Sequence, residues 1–98
     1  MLVRVLTMQV VPERLDDWLR FTRDVGFPGM RRQPGCRGIW RLHKHEAAHE
    51  YQVVTLWDSL ADLEAFRAGD AMRELTAAAS GLTVPPSAES LFDLIEDV

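Results

Sequence analysis

Three side chains in the middle of the chain have types and spacing suited to acid–base chemistry. Arg41, His43 and His45 alternate along one segment, so in a β-strand they would point to one face. An imidazole titrates near neutral pH and can act as a general base, and a guanidinium beside it can hold an anion. His43 is therefore a candidate base and Arg41 a candidate anion-binding residue. The alternative is a charged outer surface, with Trp40 and Leu42 turned inward.

Other kinds of catalytic centre have weaker support. His43 and His45 with Glu46 nearby would need a third metal ligand that the sequence does not provide, so we predict no metal site. No Ser-His-Asp or Cys-His arrangement is recognisable. Cys36 is the one cysteine, which excludes an internal disulfide, fits a reducing, cytoplasmic location and is expected to be structural.

Length and composition limit the classes of protein and partner. A chain of 98 residues, 47% hydrophobic, predicts one domain, 1–98, with one core. Its apolar stretches are too short to span a bilayer, and we expect no membrane partner. Net charge is −4, and we expect no nucleic-acid partner, because only Trp40 offers a stacking platform within the basic segment. That segment predicts a rim that steers an anionic small molecule, or a solvated strand edge; its basic residues are Arg31, Arg32, Arg37, Arg41 and Lys44.

Hydrophobic periodicity and turn residues predict the elements of the first half. Residues 2–10 are typical of a strand. A helix is predicted from Pro12 to Gly26, ended by Gly26, Pro28 and Gly29, with a turn at 31–33. Strands at 36–45 and 50–57, joined by 46–49, form a predicted hairpin.

The second half is predicted to contain a split helix and a last strand. Ser59 and Asp62 form a capping-box pattern that opens a helix ending at Gly69. Asp70 is the predicted cap of a third helix that reaches Gly81. Pro85-Pro86 is expected to break the chain. Residues 89–97 fit a helix or a strand, and their length, the proline pair and a sheet that still needs an outer partner favour a strand.

The resulting order, β-α-β-β-α-β, predicts an α+β, ferredoxin-like fold with an antiparallel sheet. Such a sheet carries helices on one face, so its strands should alternate apolar and polar. The first and third strands are instead apolar in both phases, as Val53 and Trp57 against Val54 and Leu56 illustrate. We therefore expect a homodimer joined through the sheet faces.

Two motifs resemble those of a known family. Gln33-Pro34-Gly35-Cys36-Arg37-Gly38 before a strand resembles the "PGC-x-G" motif of antibiotic-biosynthesis-monooxygenase-type proteins. VTLWDSLADLEAF, residues 54–66, resembles their "W-x-S, then L-x-A" signature where strand three leads into a helix. The resemblance covers about residues 2–80.

The resemblance implies a dimeric α/β barrel, in which two ferredoxin-like units pack sheet to sheet. It implies a small monooxygenase that uses O2, without metal or flavin, on a phenolic, quinol-like or polycyclic aromatic substrate. Such chemistry needs a dry pocket and donors for developing charge. The alternative is a non-catalytic dimer of this fold that binds a small apolar ligand or serves as an accessory subunit.

The resemblance also suggests site residues. Trp57 stands where the family has a pocket tryptophan, and its indole N–H can donate to a substrate oxygen; the alternative is a core aromatic that closes the sheet onto the second helix. Together with His43 it forms the predicted catalytic pair. The predicted substrate-binding residues, several of which would serve equally well in packing, are Arg41, Tyr51, Phe66, Met72 and Thr76.

Departures from the family pattern narrow these expectations. Haem-degrading members carry a histidine where Thr76 stands and an asparagine in the region of Val5-Leu6-Thr7, so haem is not expected. Quinol-oxidising members often have histidines in the stretch that matches Phe66 to Ala71, and this chain has none. The base would then be His43, or the substrate's own low pKa would suffice.

Overall fold

The computed structural model describes residues 1–96, which form four strands and a layer of short helices. The strands are β1 (Leu2–Val10), β2 (Cys36–His43), β3 (Glu50–Trp57) and β4 (Thr83–Asp93). The α-helices are α1 (Leu15–Phe21), α2 (Phe27–Arg31), α3 (Leu60–Ala68) and α4 (Asp70–Ala78). A 3-10 turn (Pro12–Arg14) precedes α1, and a π-helical segment (Thr22–Gly26) joins α1 to α2.

The strands form one antiparallel sheet in the order β2-β3-β1-β4. Val53 of β3 has two directly opposed neighbours in the sheet, Leu6 on β1 and Arg41 on β2. Directly opposed residues share a face, so Arg41 is on the same sheet face as the core residue Val53. The predicted α+β ferredoxin-like fold is confirmed. The alternative in which Trp40 and Leu42 turn inward is wrong, because those two residues occupy the opposite face.

The first helical region is longer and more broken than predicted. Pro28 and Gly29 do not end it; the chain continues through α2 to Arg31, with Pro28 in the first turn, where a missing N–H costs nothing. Because Pro28 cannot donate to the preceding turn, that turn is π-helical, with the Phe27 N–H bonded to the Thr22 carbonyl. The turn predicted at 31–33 therefore begins at Arg32, one residue later than predicted.

The capping box is confirmed, whereas the predicted cap of α4 is wrong. Ser59 Oγ accepts a hydrogen bond from the Asp62 N–H at 3.2 Å, as a cap of α3 should. Gly69, in extended backbone, is the cap of α4, and Asp70 is the first helical residue, paired with Arg73. The helix ends at Ala78, and a turn leads to Gly81.

The last strand includes the proline pair that was expected to interrupt it. β4 begins at Thr83, and its pairing with β1 shifts between Thr7 and Gln9, opposite residues 85–87. Proline has no N–H to give to a neighbouring strand, so the strand bulges outward here and then resumes its pairing at Ala88. It ends at Asp93; residue 97 of the predicted strand lies outside the described residues. β2 ends at His43, two residues earlier than predicted.

The helices cover one face of the sheet and bury two adjoining apolar clusters. One cluster gathers Met8, Val10, Trp18, Tyr51 and Val53 beneath the first helical region. The other packs α3 on the sheet through Leu2, Trp57, Leu63 and Phe66. Leu63 is fully buried, which is worth about 2 kcal/mol for a side chain of its size.

The opposite face, here called the open face, has no helix over it in the described part of the chain. Its exposed members include Trp40 at 50% and Phe92 at 55%. Gly38 leaves room on this face for the Trp40 ring, whose Cη2 would lie 2.6 Å from a Cβ at that position. The apolar residues of the open face include Val3, Val5, Trp40, Leu42, Val54, Leu56, Val84, Ala88 and Phe92.

The turn before β2 requires glycine. Gly35 has φ +83°, a region that other L-residues enter at a cost of about 1–2 kcal/mol. A Cβ there would also lie 2.5 Å from the Asp62 carboxyl carbon. The Gly35 carbonyl accepts from the Asp58 N–H at 2.8 Å, so the turn is tied to the start of α3.

We predict that Gly35→Ala lowers the free energy of unfolding by about 2 kcal/mol or more, because strain and the clash with Asp62 add. Urea denaturation followed by tryptophan fluorescence measures this. Gly29→Ala is the matched control: a Cβ there lies 3.5 Å from Leu75 Cδ2, an ordinary contact, in a helix that favours alanine. Equal losses in both variants would contradict the prediction.

Candidate functional site

A cavity of about 550 Å³ lies between the covered face of the sheet and the helices. This is within the usual size range of small-molecule sites. Its floor is formed by β1 and β3, and its walls by the first helical region, α3, α4 and the bulged part of β4. Most of the lining is apolar or aromatic: Leu6, Met8, Trp18, Phe21, Phe27, Met30, Val53, Phe66, Met72 and Leu75.

The polar part of the lining consists of hydroxyls and one charge. Arg4 is the one charged side chain among the described lining residues, which include no Asp, Glu, His, Cys or Tyr. The cavity walls therefore offer hydrogen bonds and a positive charge but no group that titrates near neutral pH. The hydroxyls belong to Thr22, Thr55, Thr76, Ser80, Thr83 and Ser87.

Arg4 is buried in the middle of β1 and paired at one end. Its Nε donates to Glu89 Oε2 of β4 at 2.6 Å, and the other oxygen of Glu89 accepts from Arg67 Nη1 of α3 at 2.6 Å. The Arg4 side chain is 7% exposed. Burial of a guanidinium is tolerated because a carboxylate accompanies it, and the shared Glu89 also ties α3 to β4.

Trp57 lies behind the cavity wall and acts on it through its neighbours. Its indole N–H donates to Thr55 Oγ1 at 2.8 Å, and its ring stacks on Phe66 at 5.3 Å between centroids. Thr55 is a lining residue of the cavity, although it is almost fully buried. Its hydroxyl accepts this bond, so the hydroxyl proton is not used in the contact with Trp57. In this conformation the Trp57 N–H is engaged by Thr55 and does not point into the cavity.

Arg41 supports the helical wall instead of lining the cavity. Its Nη1 donates to the Leu19 carbonyl at 3.0 Å and to Thr22 Oγ1 at 2.8 Å, at the start of the π-helical segment. The guanidinium also lies 5.9 Å from the Trp18 ring centroid, within range of a cation–π contact. Arg41 therefore holds the segment that brings Thr22 to the cavity.

His43 lies at the hairpin end of β2. Its Nε2 is 2.8 Å from the Ala47 carbonyl, so that nitrogen carries the proton in this arrangement. Its ring stacks on Tyr51 at 4.5 Å, and Tyr51 in turn packs against Trp18 in the core. Neither His43 nor Tyr51 is part of the cavity lining.

Three predicted site residues come together at the cavity. Phe66 forms the wall in front of Trp57, and Met72 and Thr76 follow one another along α4, one turn apart. Met72 is half-buried and Thr76 is exposed at the mouth.

Arg4 and Thr55 were missed by sequence reasoning, although each carried a signal. Arg4 shares a strand phase with Leu2, Leu6 and Met8, and a charge in an otherwise apolar phase is unusual. Thr55 stands between Val53 and Trp57 in the inward phase of β3.

Several other features can be placed. Burial raises the pKa of the half-buried Cys36 thiol, which lies next to the Gly35 turn and outside the cavity lining. Within residues 1–96, no three His, Cys, Asp or Glu side chains are grouped as a metal site would require. No helix in the same range is long and apolar enough to cross a membrane.

Structural comparison finds close likenesses in fold. SnoaB, a cofactor-independent oxygenase from Streptomyces nogalater crystallised as a point mutant, has a TM-score of 0.81 at 18% identity, covering 99% of this chain and 95% of its own. A candidate antibiotic biosynthesis monooxygenase from Bordetella bronchiseptica reaches 0.87 at 19% identity, with 97% of each chain covered. A further antibiotic biosynthesis monooxygenase has a TM-score of 0.80 at 18% identity, covering 98% of this chain and all of the other. At these identities, the likeness shows the fold alone.

Sequence comparison gives the family. No curated protein matches this sequence. The sequence profile named "Antibiotic biosynthesis monooxygenase" matches residues 1–78, which include the Gly35 turn, β3, Trp57 and the cavity residues of α3 and α4. The chain therefore belongs to the antibiotic biosynthesis monooxygenase family.

Proposed function

We propose that the protein is a cofactor-independent monooxygenase that inserts one atom of O2 into a phenolic, quinol-like or polycyclic aromatic compound. The observation that carries this proposal is the cavity: large, mostly aromatic and apolar, with hydroxyl groups and one cation but no carboxylate, imidazole or thiol among its described lining residues. Electron-rich aromatic anions react with oxygen once they are formed and desolvated, so the protein needs to bind, orient and exclude water.

The reaction balances without a further reductant. The ionised substrate gives one electron to O2, and the resulting pair combines to form a carbon–oxygen bond. The O–O bond then breaks, so that one oxygen stays on the carbon and the other leaves as water with two hydrogens that the substrate gives up. In an anthrone both hydrogens come from the oxidised carbon, which becomes a carbonyl; a hydroquinone likewise loses two hydrogens in total and becomes a hydroxyquinone. The substrate supplies all the electrons, as hydroquinones and anthrones can.

The Thr55 hydroxyl is the proposed donor to the substrate oxygen on which negative charge lies. Its orientation is set by the indole N–H of Trp57, which occupies an acceptor position of the hydroxyl and leaves the proton for the ligand. Trp57 is thus a positioning residue in this proposal, while Phe66, Met72 and Thr76 bind the substrate skeleton.

The same lining indicates which group accepts the proton when the substrate ionises. His43 is held at the hairpin by Ala47 and Tyr51, and no described lining residue is a base. We therefore propose that the substrate is acidic enough to ionise near neutral pH and gives its proton to water. Arg41 supports this site indirectly by fixing Thr22.

Oxygen uptake on a panel of hydroquinones and anthrones, with metal-chelated protein, tests the proposal. We expect turnover, with kcat/KM reduced roughly tenfold or more in Thr55→Val, which removes the donor with little change of volume. Trp57→Phe should also reduce it, but should have little additional effect in the Thr55→Val background, because Trp57 acts through Thr55.

Thr7→Val is the matched control for this experiment. Thr7 is on β1 but belongs to the open face, where it accepts from Gln52 Nε2 at 3.2 Å, so its loss should leave kcat/KM unchanged. Absence of oxygen uptake across the panel would overturn the oxygenase proposal. Fully additive effects of the Thr55 and Trp57 substitutions would overturn the positioning role.

The absence of a base from the described lining also favours a second candidate, a non-catalytic dimer that binds a small aromatic ligand. In that case an aromatic compound would raise the melting temperature while no compound of the panel consumed oxygen.

We also propose that the protein is a homodimer joined through its open face. Trp40, Leu42 and Phe92 are 45–55% exposed there, side by side with the half-buried valines of β1 and β3. A contiguous apolar face of this kind is typical of a protein interface, and two copies related by a twofold axis would cover it in both.

We expect light scattering at micromolar concentration to report twice the 11.1 kDa of one chain. Val54→Glu, in the centre of the open face, should shift the protein to monomer, because a carboxylate would be buried without a partner. Ala61→Glu, on the exposed side of α3, introduces the same charge elsewhere and should leave the dimer intact. A wild-type monomer at these concentrations would contradict the proposal.

A further inference from the structure

We infer that Arg4 makes the cavity selective for aromatic ligands that carry a carboxylate. The inference rests on the proposed function only in taking the cavity as the site of an aromatic compound; it does not depend on oxygen chemistry.

The terminal nitrogens of Arg4 face the cavity without a protein partner. In the described part of the chain, Arg4 makes one side-chain hydrogen bond, from Nε to Glu89. No buried side-chain nitrogen or oxygen there lacks a partner, so Nη1 and Nη2 must be accessible. Since the side chain is 7% exposed and lines the cavity, the accessible space is the cavity. The paired ends of a guanidinium present two parallel N–H donors, which match the two oxygens of a carboxylate.

The local charge leaves room for one anion. Glu89 carries one negative charge and is shared by Arg4 and Arg67, so the three groups together have an excess of one positive charge. No other described lining residue is charged. The walls are apolar and keep the effective dielectric low, so a ligand anion would be attracted more strongly here than at the surface, and its arrival would neutralise the cluster.

The position of Arg4 adds specificity. Arg4 lies directly opposite Thr55 in the β1–β3 register, so their side chains rise from neighbouring points of the cavity floor. A ligand that places its carboxylate on Arg4 brings the adjacent part of its ring system to the Thr55 hydroxyl. Arg4 thereby selects a substrate class and also orients it.

Calorimetric titration with naphthalene-2-carboxylate and naphthalene-2-carboxamide, which match in shape and differ in charge, tests the inference. We expect the wild-type protein to bind the carboxylate roughly tenfold or more tightly, the usual advantage of a charge-assisted hydrogen bond over a neutral one. Arg4→Gln should abolish that preference while leaving carboxamide binding in place.

Two further variants keep the test decisive if Arg4→Gln folds poorly. Arg4→Met combined with Glu89→Gln removes both charges, so no carboxylate is left uncompensated, and it should also abolish the preference. Glu89→Gln alone leaves the charge of Arg4 in place and should keep or raise the preference for the carboxylate. If the Arg4–Glu89 pair were purely structural, breaking it would not maintain or raise that preference. Arg37→Gln, which breaks a surface pair with Asp58 away from the cavity, is the matched control.

The outcomes separate this inference from the proposed function. Equal affinity for the two probes in the wild-type protein, or a preference that survives in both Arg4 variants, would overturn the assignment of Arg4. Lack of saturable binding of either probe would overturn the cavity as an aromatic site altogether. Absence of oxygen uptake would leave the binding result unaffected.

Discussion

The structure depends on a sheet that is apolar on both faces and has helices for only one. β1 and β3 are the central strands, and each contributes large apolar residues in both phases, so neither face can stay in water without cost. The helices cover the face of Met8, Val53 and Trp57, which decides where the core and the cavity lie. The cavity and its polar groups lie on this covered face, whereas the open face bears on assembly alone.

The cavity follows from how the helical layer is built. A continuous helix packs closely on a sheet, but here the first covering region is divided into α1, the π-helical segment and α2, with Pro28 responsible for the division. Polar ties hold the covering helices in place: Arg41 bonds to Leu19 and Thr22 of the broken region, and Glu89 of β4 bonds to Arg67 of α3. These ties replace the apolar contacts that a filled interior would have supplied, so a space can persist beneath the helices.

Features that depend on residues close together in sequence were largely predicted, and features that depend on tertiary pairing were not. The family resemblance suggested Trp57 as a pocket or core residue at the end of β3, and Phe66 and Met72 were expected on the helices that cover the sheet; all three lie on the covered face. His43 has the predicted strand phase, but it lies at the hairpin end of β2, where its ring bonds to the Ala47 carbonyl. Periodicity predicts the face of a strand residue and not this contact. The proline pair is a strong local signal for a break, so the last strand was predicted to begin after it. Pairing with β1 overrides that signal, and β4 passes through the proline pair with a bulge. Arg4 was overlooked because its partner Glu89 is 85 residues away in sequence.

Arg4 also shows why a cavity of this kind suits substrate-driven chemistry. A buried arginine without a carboxylate would be prohibitively expensive, and one fully neutralised by carboxylates would offer a ligand nothing. Arg4 lies between these two cases, because it shares Glu89 with Arg67. Its guanidinium is stable enough to be buried, and its terminal nitrogens can still donate hydrogen bonds. Such a cation lowers the pKa of an acidic ligand bound near it, so the protein can favour the ionised form of a substrate without a base of its own. This would account for a cavity lined by hydroxyls and aromatic rings, in which the one charge among the described lining residues is that of an arginine.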